Sequence, residues 1–248
     1  MRPYDNSRTV TNEHEILAEF KRTSLLSYQK FTHIADIQYG THPRSTLDFF
    51  PLEQAKKTVI FIHGGYWQWC DKSDFAFIVP YVLAKGAQCI LLEYDLAPQS
   101  KISDIASQVN QALDFIREQD WKTNEVVLVG HSAGAHLAAL SLGHPLISEM
   151  VLLSGIYDLE PIQSTHLNHA LNLSSEDILK YSPVHQSKRI TTPCSIFCGE
   201  LELDELKWQS QNYFEMKKRQ DQDFVSFKLI PKINHYSILN HYFNNILI

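Results

Sequence analysis

Six short apolar runs alternate with longer helical patterns from about residue 58 to the end of the chain. Each run is five or six residues long and mostly apolar, as expected of parallel strands that helices cover on both faces. Between the runs, apolar residues recur at helical spacing, for example Ile105, Val109, Leu113 and Ile116. The alternation predicts an α/β protein with a mostly parallel central sheet. The predicted strands are Thr58–Ile62, Gln88–Glu93, Glu125–Val129, Glu149–Leu153, Cys194–Cys198 and Phe224–Leu229.

The flanking segments complete this architecture. Two earlier runs, His33–Tyr39 and Ser45–Phe50, predict a hairpin at one edge and bring the sheet to about eight strands. Helical patterns at Glu13–Gln29 and Tyr236–Leu247 predict a first helix outside the sheet and a last helix after the final strand. A polar, Asn- and Ser-rich stretch, Tyr157–Gln186, follows a strand and predicts a lid-like insertion. Because no repeat or linker interrupts the chain, residues 1–248 are predicted to form one domain.

Composition and charge exclude several classes of function. The formal charge is 22 − 28 = −6 with no Lys/Arg run longer than three residues, which argues against nucleic-acid binding. No apolar run approaches the roughly 18 residues that span a bilayer, and Met1–Glu15 does not resemble a signal peptide. The four cysteines are therefore expected to be free thiols in the cytoplasm. The closely spaced histidine pairs, His166 with His169 and His131 with His136, lack a partnering carboxylate or cysteine at known ligand spacing. Neither a metal nor a cofactor is therefore expected.

Glycine is scarce, and its placement is informative. Only 9 glycines occur in the chain, and four of them lie in two short motifs. Gly130-His131-Ser132-Ala133-Gly134 matches G-x-S-x-G and stands between a predicted strand and a predicted helix, Ala133–Leu142. This is the context in which a serine occupies a strained turn with its hydroxyl exposed at a helix N-terminus. The motif predicts that Ser132 is a nucleophile; an ordinary strand-to-helix turn is the alternative.

The second glycine motif, His63-Gly64-Gly65-Tyr66-Trp67, follows the predicted strand Thr58–Ile62. In hydrolases with such a serine turn, two backbone N–H groups hold the oxyanion: one from an HGG-type loop and one from the residue after the nucleophile. That residue is Ala133, and either Gly64 or Gly65 supplies the second donor. We expect His63 to shape the loop rather than to carry a proton.

A serine nucleophile also needs a base and an acid, and in this architecture they follow it in the order acid, then histidine. His235 lies in the predicted turn between the last strand and the last helix, where it can reach Ser132. Four carboxylates follow the strand Cys194–Cys198, namely Glu200, Glu202, Asp204 and Glu205. Their positions favour Glu202 or Asp204 as the acid, and the residues alone leave that choice open.

Three stretches together resemble the kynurenine formamidase (arylformamidase) branch of the α/β-hydrolases: His63–Gln68, Gly130–Ala135 and Ser154–Pro161. The resemblance implies an α/β-hydrolase fold, Ser132 as nucleophile and His235 as base. It implies Glu202 as the acid, at a position where relatives carry aspartate. The implied reaction is hydrolysis of N-formyl-L-kynurenine to L-kynurenine and formate through a formyl-enzyme intermediate.

The aromatic residues of the motif loops are expected to form a wall for the substrate ring, namely Tyr66, Trp67 and Tyr157, with Trp69 equally suited to packing. Two rival hypotheses remain: a carboxylesterase for short acyl esters, and a catalytically silent hydrolase fold used for binding. The expected partner is a small molecule, an aryl formamide or ester. The oligomeric state is open, with a homodimer among the options.

Overall fold

A computed structural model of the chain describes residues 4–187, 189, 191–220 and 224–246. Within these residues, eight strands form one sheet in the order β1-β2-β4-β3-β5-β6-β7-β8. β2 runs antiparallel to both of its neighbours, and the remaining neighbours pair in parallel. The strands are β1 (Ile34–Gln38), β2 (Thr46–Phe50), β3 (Lys57–Ile62), β4 (Ala87–Leu92), β5 (Glu125–His131), β6 (Glu149–Leu153), β7 (Cys194–Gly199) and β8 (Val225–Ile230). All eight predicted strands are present, and the mostly parallel sheet is confirmed.

Helices connect the strands. They are α1 (Glu13–Lys30), α2 (Val79–Ala84), α3 (Ile102–Arg117), α4 (Ala133–Leu140), α5 (Glu160–Gln163), α6 (Asn168–Leu171), α7 (Ser175–Tyr181), α8 (Asp204–Gln220) and α9 (Ser237–His241). Short 3-10 helices occupy Asn6–Thr9, Lys72–Ile78 and Pro183–His185, and a π-helix at Tyr242–Ile246 continues α9. The last residue of the predicted C-terminal helix, Leu247, lies outside the described residues.

The sheet is buried on both faces. Side chains of successive strand residues point to opposite faces, so Ile60 and Ile62 join one core cluster whereas Val59 and Phe61 join the other. This two-sided burial explains why the parallel strands are continuous apolar runs in the sequence rather than alternating ones. Because both faces are covered, polar functional side chains are expected on the loops at the carboxyl ends of the strands.

The N-terminal helix α1 packs against the 3-10 helix Lys72–Ile78 rather than standing apart from the domain. Ser24 Oγ donates to Asp74 O at 2.8 Å and accepts from Phe77 N at 2.9 Å. Phe20 stacks on Phe77 with ring centroids 4.3 Å apart. These contacts hold the middle of α1 against the connection between β3 and α2.

The segment 157–186, predicted to be a lid-like insertion, contains α5, α6, α7 and one 3-10 helix. All four cysteines are free. Across the described part of the chain, no helix combines the length and the apolar character needed to cross a membrane.

Candidate active site

Ser132 occupies the sharp turn between β5 and α4, with φ 55° and ψ −118°. A non-glycine residue in this region is strained by about 1–3 kcal/mol and persists only where the surroundings hold it. The neighbours leave no room for side chains: a Cβ on Gly134 would lie 2.1 Å from Ile62 O, and one on Gly130 would lie 2.4 Å from Gly134 O. The Ser132 N–H donates to Leu153 O at 2.8 Å, which ties the turn to the neighbouring strand β6.

His235 and Glu202 form a buried pair beside this turn. His235 Nδ1 lies 2.8 Å from Glu202 Oε2, and both side chains are at most 5% exposed. The other carboxylate oxygen, Oε1, accepts from Ser154 Oγ at 2.6 Å and from Gly199 N at 2.6 Å. A carboxylate that accepts the Nδ1 proton leaves Nε2 of His235 as the free base, which is the tautomer that proton abstraction from a serine requires.

The predicted base and the predicted nucleophile border the same cavity. Ser132 and His235 both line it, while no hydrogen bond joins the two side chains within the described residues. Such contacts are often long without substrate and shorten in the reacting complex. The arrangement therefore suits general-base activation of Ser132.

The structure separates the two acids that the sequence left open. Glu202 is buried and contacts His235, whereas Asp204 begins α8 with its side chain 96% exposed and pairs with Lys207 at 2.8 Å. The hydrogen bond from Lys207 lowers the pKa of Asp204, as expected of a surface ion pair. The geometry thus associates Glu202, not Asp204, with the histidine.

Two residues that the sequence analysis did not assign to the site support the base. His131 Nε2 donates to His235 O at 2.9 Å. Burial lowers the pKa of His131 well below its usual value, and repulsion from His235 adds to the effect, so the ring is neutral with its proton on Nε2. Ser154 is the second, through its bond to Glu202. The sequence feature that could have identified these two residues is their position in the motifs. His131 directly precedes Ser132, and Ser154 is the first residue of the stretch Ser154–Pro161.

The glycine pair after β3 lies directly against the nucleophile. A Cβ on Gly64 would approach Ser132 Cβ to 3.0 Å, and one on Gly65, which has φ +104°, would lie 2.1 Å from Trp69 O. Within the described residues, the N–H groups of Gly64, Gly65 and Ala133 donate to no acceptor. Unpaired N–H groups beside a serine nucleophile are what an oxyanion hole requires.

His63 holds this loop in place, as the sequence analysis expected. Its Nδ1 lies 2.7 Å from Gly64 O and its Nε2 lies 2.8 Å from Glu93 Oε1. Tyr94 OH donates to His63 O at 2.9 Å. Burial acts to raise the pKa of Glu93, but the adjacent His63 and Arg44 outweigh it, and the pKa is lowered. Since C=O and N–H of a trans peptide point in opposite directions, anchoring Gly64 O turns the next N–H away from His63.

The cavity that Ser132 and His235 border has a volume of about 300 Å³. Tyr66 and Trp69 from the glycine loop line it, and the predicted insertion contributes only His166 and Leu167. The largest contribution comes from the N-terminal segment, through Tyr4, Asp5, Asn6, Glu13, Leu17 and Phe20. Sequence reasoning missed these six residues because no motif marks them and their partners are distant in the chain.

Two of the predicted substrate-contacting aromatics are placed elsewhere, so those predictions were wrong. Trp67 and Tyr157 are fully buried and neither lines the cavity. Trp67 Nε1 donates to His136 Nδ1 at 3.2 Å, and the Tyr157 ring stacks on Tyr213 with centroids 4.3 Å apart. Large aromatic side chains gain most from full burial, and membership of a motif loop does not reveal on which side of the loop they pack.

Within the residues that the structure describes, no cluster of three or more His, Cys, Asp or Glu side chains is arranged to hold a metal ion.

Solved structures with similar folds are hydrolases or are named as such. A candidate thioesterase of Silicibacter sp. tm1040 superposes with a TM-score of 0.89 at 23% identity, covering 98% of this chain and 94% of that one. An esterase of Pyrobaculum calidifontis gives a TM-score of 0.72 at 14% identity, covering 92% and 86%. At these identities the likeness concerns the fold, and it confirms the predicted α/β-hydrolase fold.

Proteins with similar sequences identify the family, whereas the similar structures identify only the fold. A family model described as BD-FAE matches residues 49–149. A kynurenine formamidase of Danio rerio is 32% identical over 222 residues, which is 83% of this chain and 75% of that protein. One of Salmo salar is 34% identical over 194 residues, covering 73% and 66%. The chain therefore belongs to the kynurenine formamidase family, among the hydrolytic enzymes of the α/β-hydrolase fold.

Proposed function

We propose that the protein hydrolyses N-formyl-L-kynurenine to L-kynurenine and formate through Ser132, His235 and Glu202. The observation that carries this proposal is the 2.8 Å contact between His235 Nδ1 and Glu202 Oε2 at the wall of the cavity that Ser132 also lines. The substrate is inferred from relatives that are named kynurenine formamidase. We assign the oxyanion hole to Ala133 N–H together with the glycine loop.

In the first step, Ser132 Oγ attacks the formyl carbon while His235 Nε2 takes the hydroxyl proton. The carbonyl π electrons move to the formyl oxygen, and the N–H groups of Ala133 and of Gly64 or Gly65 stabilise the resulting charge. Anchoring of Gly64 O by His63 favours Gly65 as the donor. The carboxylate of Glu202 stabilises the imidazolium without becoming protonated.

In the second step, the C–N bond breaks and the imidazolium of His235 gives its proton to the departing aromatic amine. The formyl group remains as an ester on Ser132. A water molecule then attacks this ester, its proton passing to His235 and on to Ser132 Oγ, and formate leaves. Because an aromatic amine is a weaker base than an alkyl amine, the formyl anilide is a partly activated substrate for this esterase-like machinery.

The decisive experiment compares kcat/KM for N-formylkynurenine and for p-nitrophenyl acetate. We expect efficient turnover of the formyl anilide, and its absence would disprove the assignment. Ser132→Ala removes the nucleophile, whereas Ser141→Ala at the far end of α4 serves as the matched control. Only the first variant should lose hydrolysis of both substrates.

A carboxylesterase is the second candidate, favoured by the esterases among the similar structures and by isoprenylcysteine methylesterases among the relatives. A protein that hydrolyses p-nitrophenyl acetate but not the formyl anilide would be assigned to this function. A silent binding protein is distinguished by a fluorophosphonate probe. We expect labelling of the wild type and none of Ser132→Ala.

Further parts of the proposal concern the domain organisation, the cellular location, the oligomeric state and a lid. We infer a single domain over residues 1–248, a cytoplasmic location and a small-molecule substrate, with a homodimer to be tested by light scattering. The segment 157–186 is proposed to act as a lid through His166 and Leu167, which border the cavity. Hydrogen exchange with and without substrate would test whether this segment is protected on binding.

A further inference from the structure

The N-terminal segment, defined here as residues 4–20, forms one wall of the cavity that Ser132 and His235 border. Asn6 Nδ2 donates to Tyr66 OH at 3.1 Å, which joins the segment to the glycine loop. Tyr236 OH donates to Glu13 Oε1, which joins it to the residue after His235. Gln209 Nε2 donates to Tyr4 OH at 2.9 Å. Three separate elements of the catalytic edge thus hold the segment over the cavity.

The wall is acidic and aromatic. Asp5 and Glu13 border the cavity, and among its described lining residues there is no lysine or arginine. Neither carboxylate pairs with a Lys or Arg side chain within the described residues. Tyr4, Phe20, Tyr66, Trp69 and Tyr236 surround them. Aromatic faces and carboxylates both attract cations, and an ammonium group suits such a site.

An independent observation points to a hydrogen-bond donor as ligand. Asn6 is 7% exposed and lines the cavity, yet its Oδ1 has no hydrogen-bond partner among the described residues. A buried acceptor without a donor is unfavourable, and a bound N–H group would relieve it. The opposite end of the same amide is held by Tyr66 OH, which leaves Oδ1 as the unsatisfied end.

We propose that the N-terminal segment recognises a positively charged amine on the leaving group of the substrate, with Asn6 Oδ1 as the acceptor and Glu13 and Asp5 as the counter-charges. The inference rests on the proposed function only in placing the amine on the leaving group. It predicts that the cavity selects ammonium over neutral and over anionic substituents.

The test uses three phenyl acetates with a para aminoethyl, ethyl or carboxyethyl group, which differ in charge but share the reacting ester. We expect kcat/KM to decrease in that order, with the aminoethyl ester preferred over the ethyl ester by about tenfold. Asn6→Leu and Glu13→Gln should each reduce this ratio several-fold, and Asn6→Asp should increase it. Glu15→Gln, an exposed carboxylate on the same helix outside this cavity, should keep the wild-type ratio.

A wild-type preference for the ethyl or the carboxyethyl ester would overturn the proposal, as would an unchanged ratio in both Asn6→Leu and Asn6→Asp. The outcome is independent of formamidase activity. If N-formylkynurenine is not hydrolysed while the aminoethyl ester is preferred, the proposed function fails and the amine site stands. If the formyl anilide is hydrolysed without any charge preference among the esters, the amine site fails alone.

Discussion

Replacing Glu202 with glutamine isolates the part that its charge plays in holding the base. Gly199 N–H lies 2.6 Å from Glu202 Oε1 and can only donate, so a glutamine must place its carbonyl oxygen there. The amide nitrogen then faces His235, where the carboxylate oxygen Oε2 lies 2.8 Å from Nδ1. Because an amide N–H donates, Nδ1 must accept and the ring proton moves to Nε2. In that tautomer His235 cannot take the proton of Ser132.

The size of the effect follows from this tautomer argument. In serine proteases, the corresponding acid-to-amide change lowers kcat by about 10⁴, which corresponds to about 5 kcal/mol of activation free energy. Glutamine keeps the volume of Glu202 and its bonds to Ser154 Oγ and Gly199 N. We therefore expect a loss in kcat with little change in KM or in Tm.

The assay measures kcat for p-nitrophenyl acetate and for N-formylkynurenine, with thermal unfolding of each variant in parallel. Asp204→Asn is the matched control, since this side chain is 96% exposed and contacts Lys207 rather than the histidine. It should retain wild-type kcat. If Glu202→Gln stays within about tenfold of the wild type while correctly folded, the tautomer argument is wrong. A large loss of kcat in Asp204→Asn but not in Glu202→Gln would show that Asp204 is the acid that orients His235.

Three further predictions concern activity and stability. Ser154→Ala removes one of the two donors to Glu202 Oε1 and should lower kcat/KM by about tenfold in the ester assay. Gly134→Ala would place a methyl carbon 2.1 Å from Ile62 O, so we expect destabilisation by about 3 kcal/mol or more in urea unfolding. Burial lowers the pKa of His136 to about 4, below its unfolded value near 6.5. The unfolded state therefore binds the extra proton, and His136 should lower the stability by up to about 1.4 kcal/mol for each unit by which the pH decreases between these two values, in addition to the contribution of buried His131. His136→Gln should flatten that slope.

Each of these predictions has a contrary outcome. Unchanged kcat/KM in Ser154→Ala would show that Gly199 N–H alone positions the carboxylate. Gly143→Ala, where no described residue beyond the two chain neighbours has an atom within 4 Å of the added methyl group, should destabilise less than Gly134→Ala even though Gly143 has φ +80°. Equal losses would show that the steric overlap at Gly134 costs no more than the unfavourable φ at Gly143. A stability that is flat from pH 7 to pH 5 would contradict the assigned burial of neutral His136.

The secondary structure and sheet class could be predicted because they depend on local periodicity. Strands buried on both faces read as continuous apolar runs, and amphipathic helices repeat at a period of 3.6 residues. The serine turn was predictable because its two glycines stand in a recognisable motif, although the atoms that exclude a side chain at Gly134 belong to β3 and the residue after it. The motif itself lies within five consecutive residues.

Tertiary structure decided which of the candidate acids contacts His235, which residues support that contact and which residues form the cavity wall. The sequence alone left Glu202 and Asp204 as alternatives, and only the path of the loop after β7 turns one inward and the other into solvent. Trp67 and Tyr157 pack away from the cavity, on the core side of their loops. Their orientation depends on which elements cover the loop, and periodicity carries no such information.

The sequence by itself determined the order of strands and helices, the serine turn and the glycine loop, because each is marked by a pattern of residues adjacent in the chain. Tertiary structure decided which residues line the cavity. The bond from Asn6 to Tyr66 joins residues 60 positions apart, and that from Tyr236 to Glu13 joins residues 223 positions apart. Contacts over such separations arise only when packed elements bring distant segments together, so no local pattern encodes them.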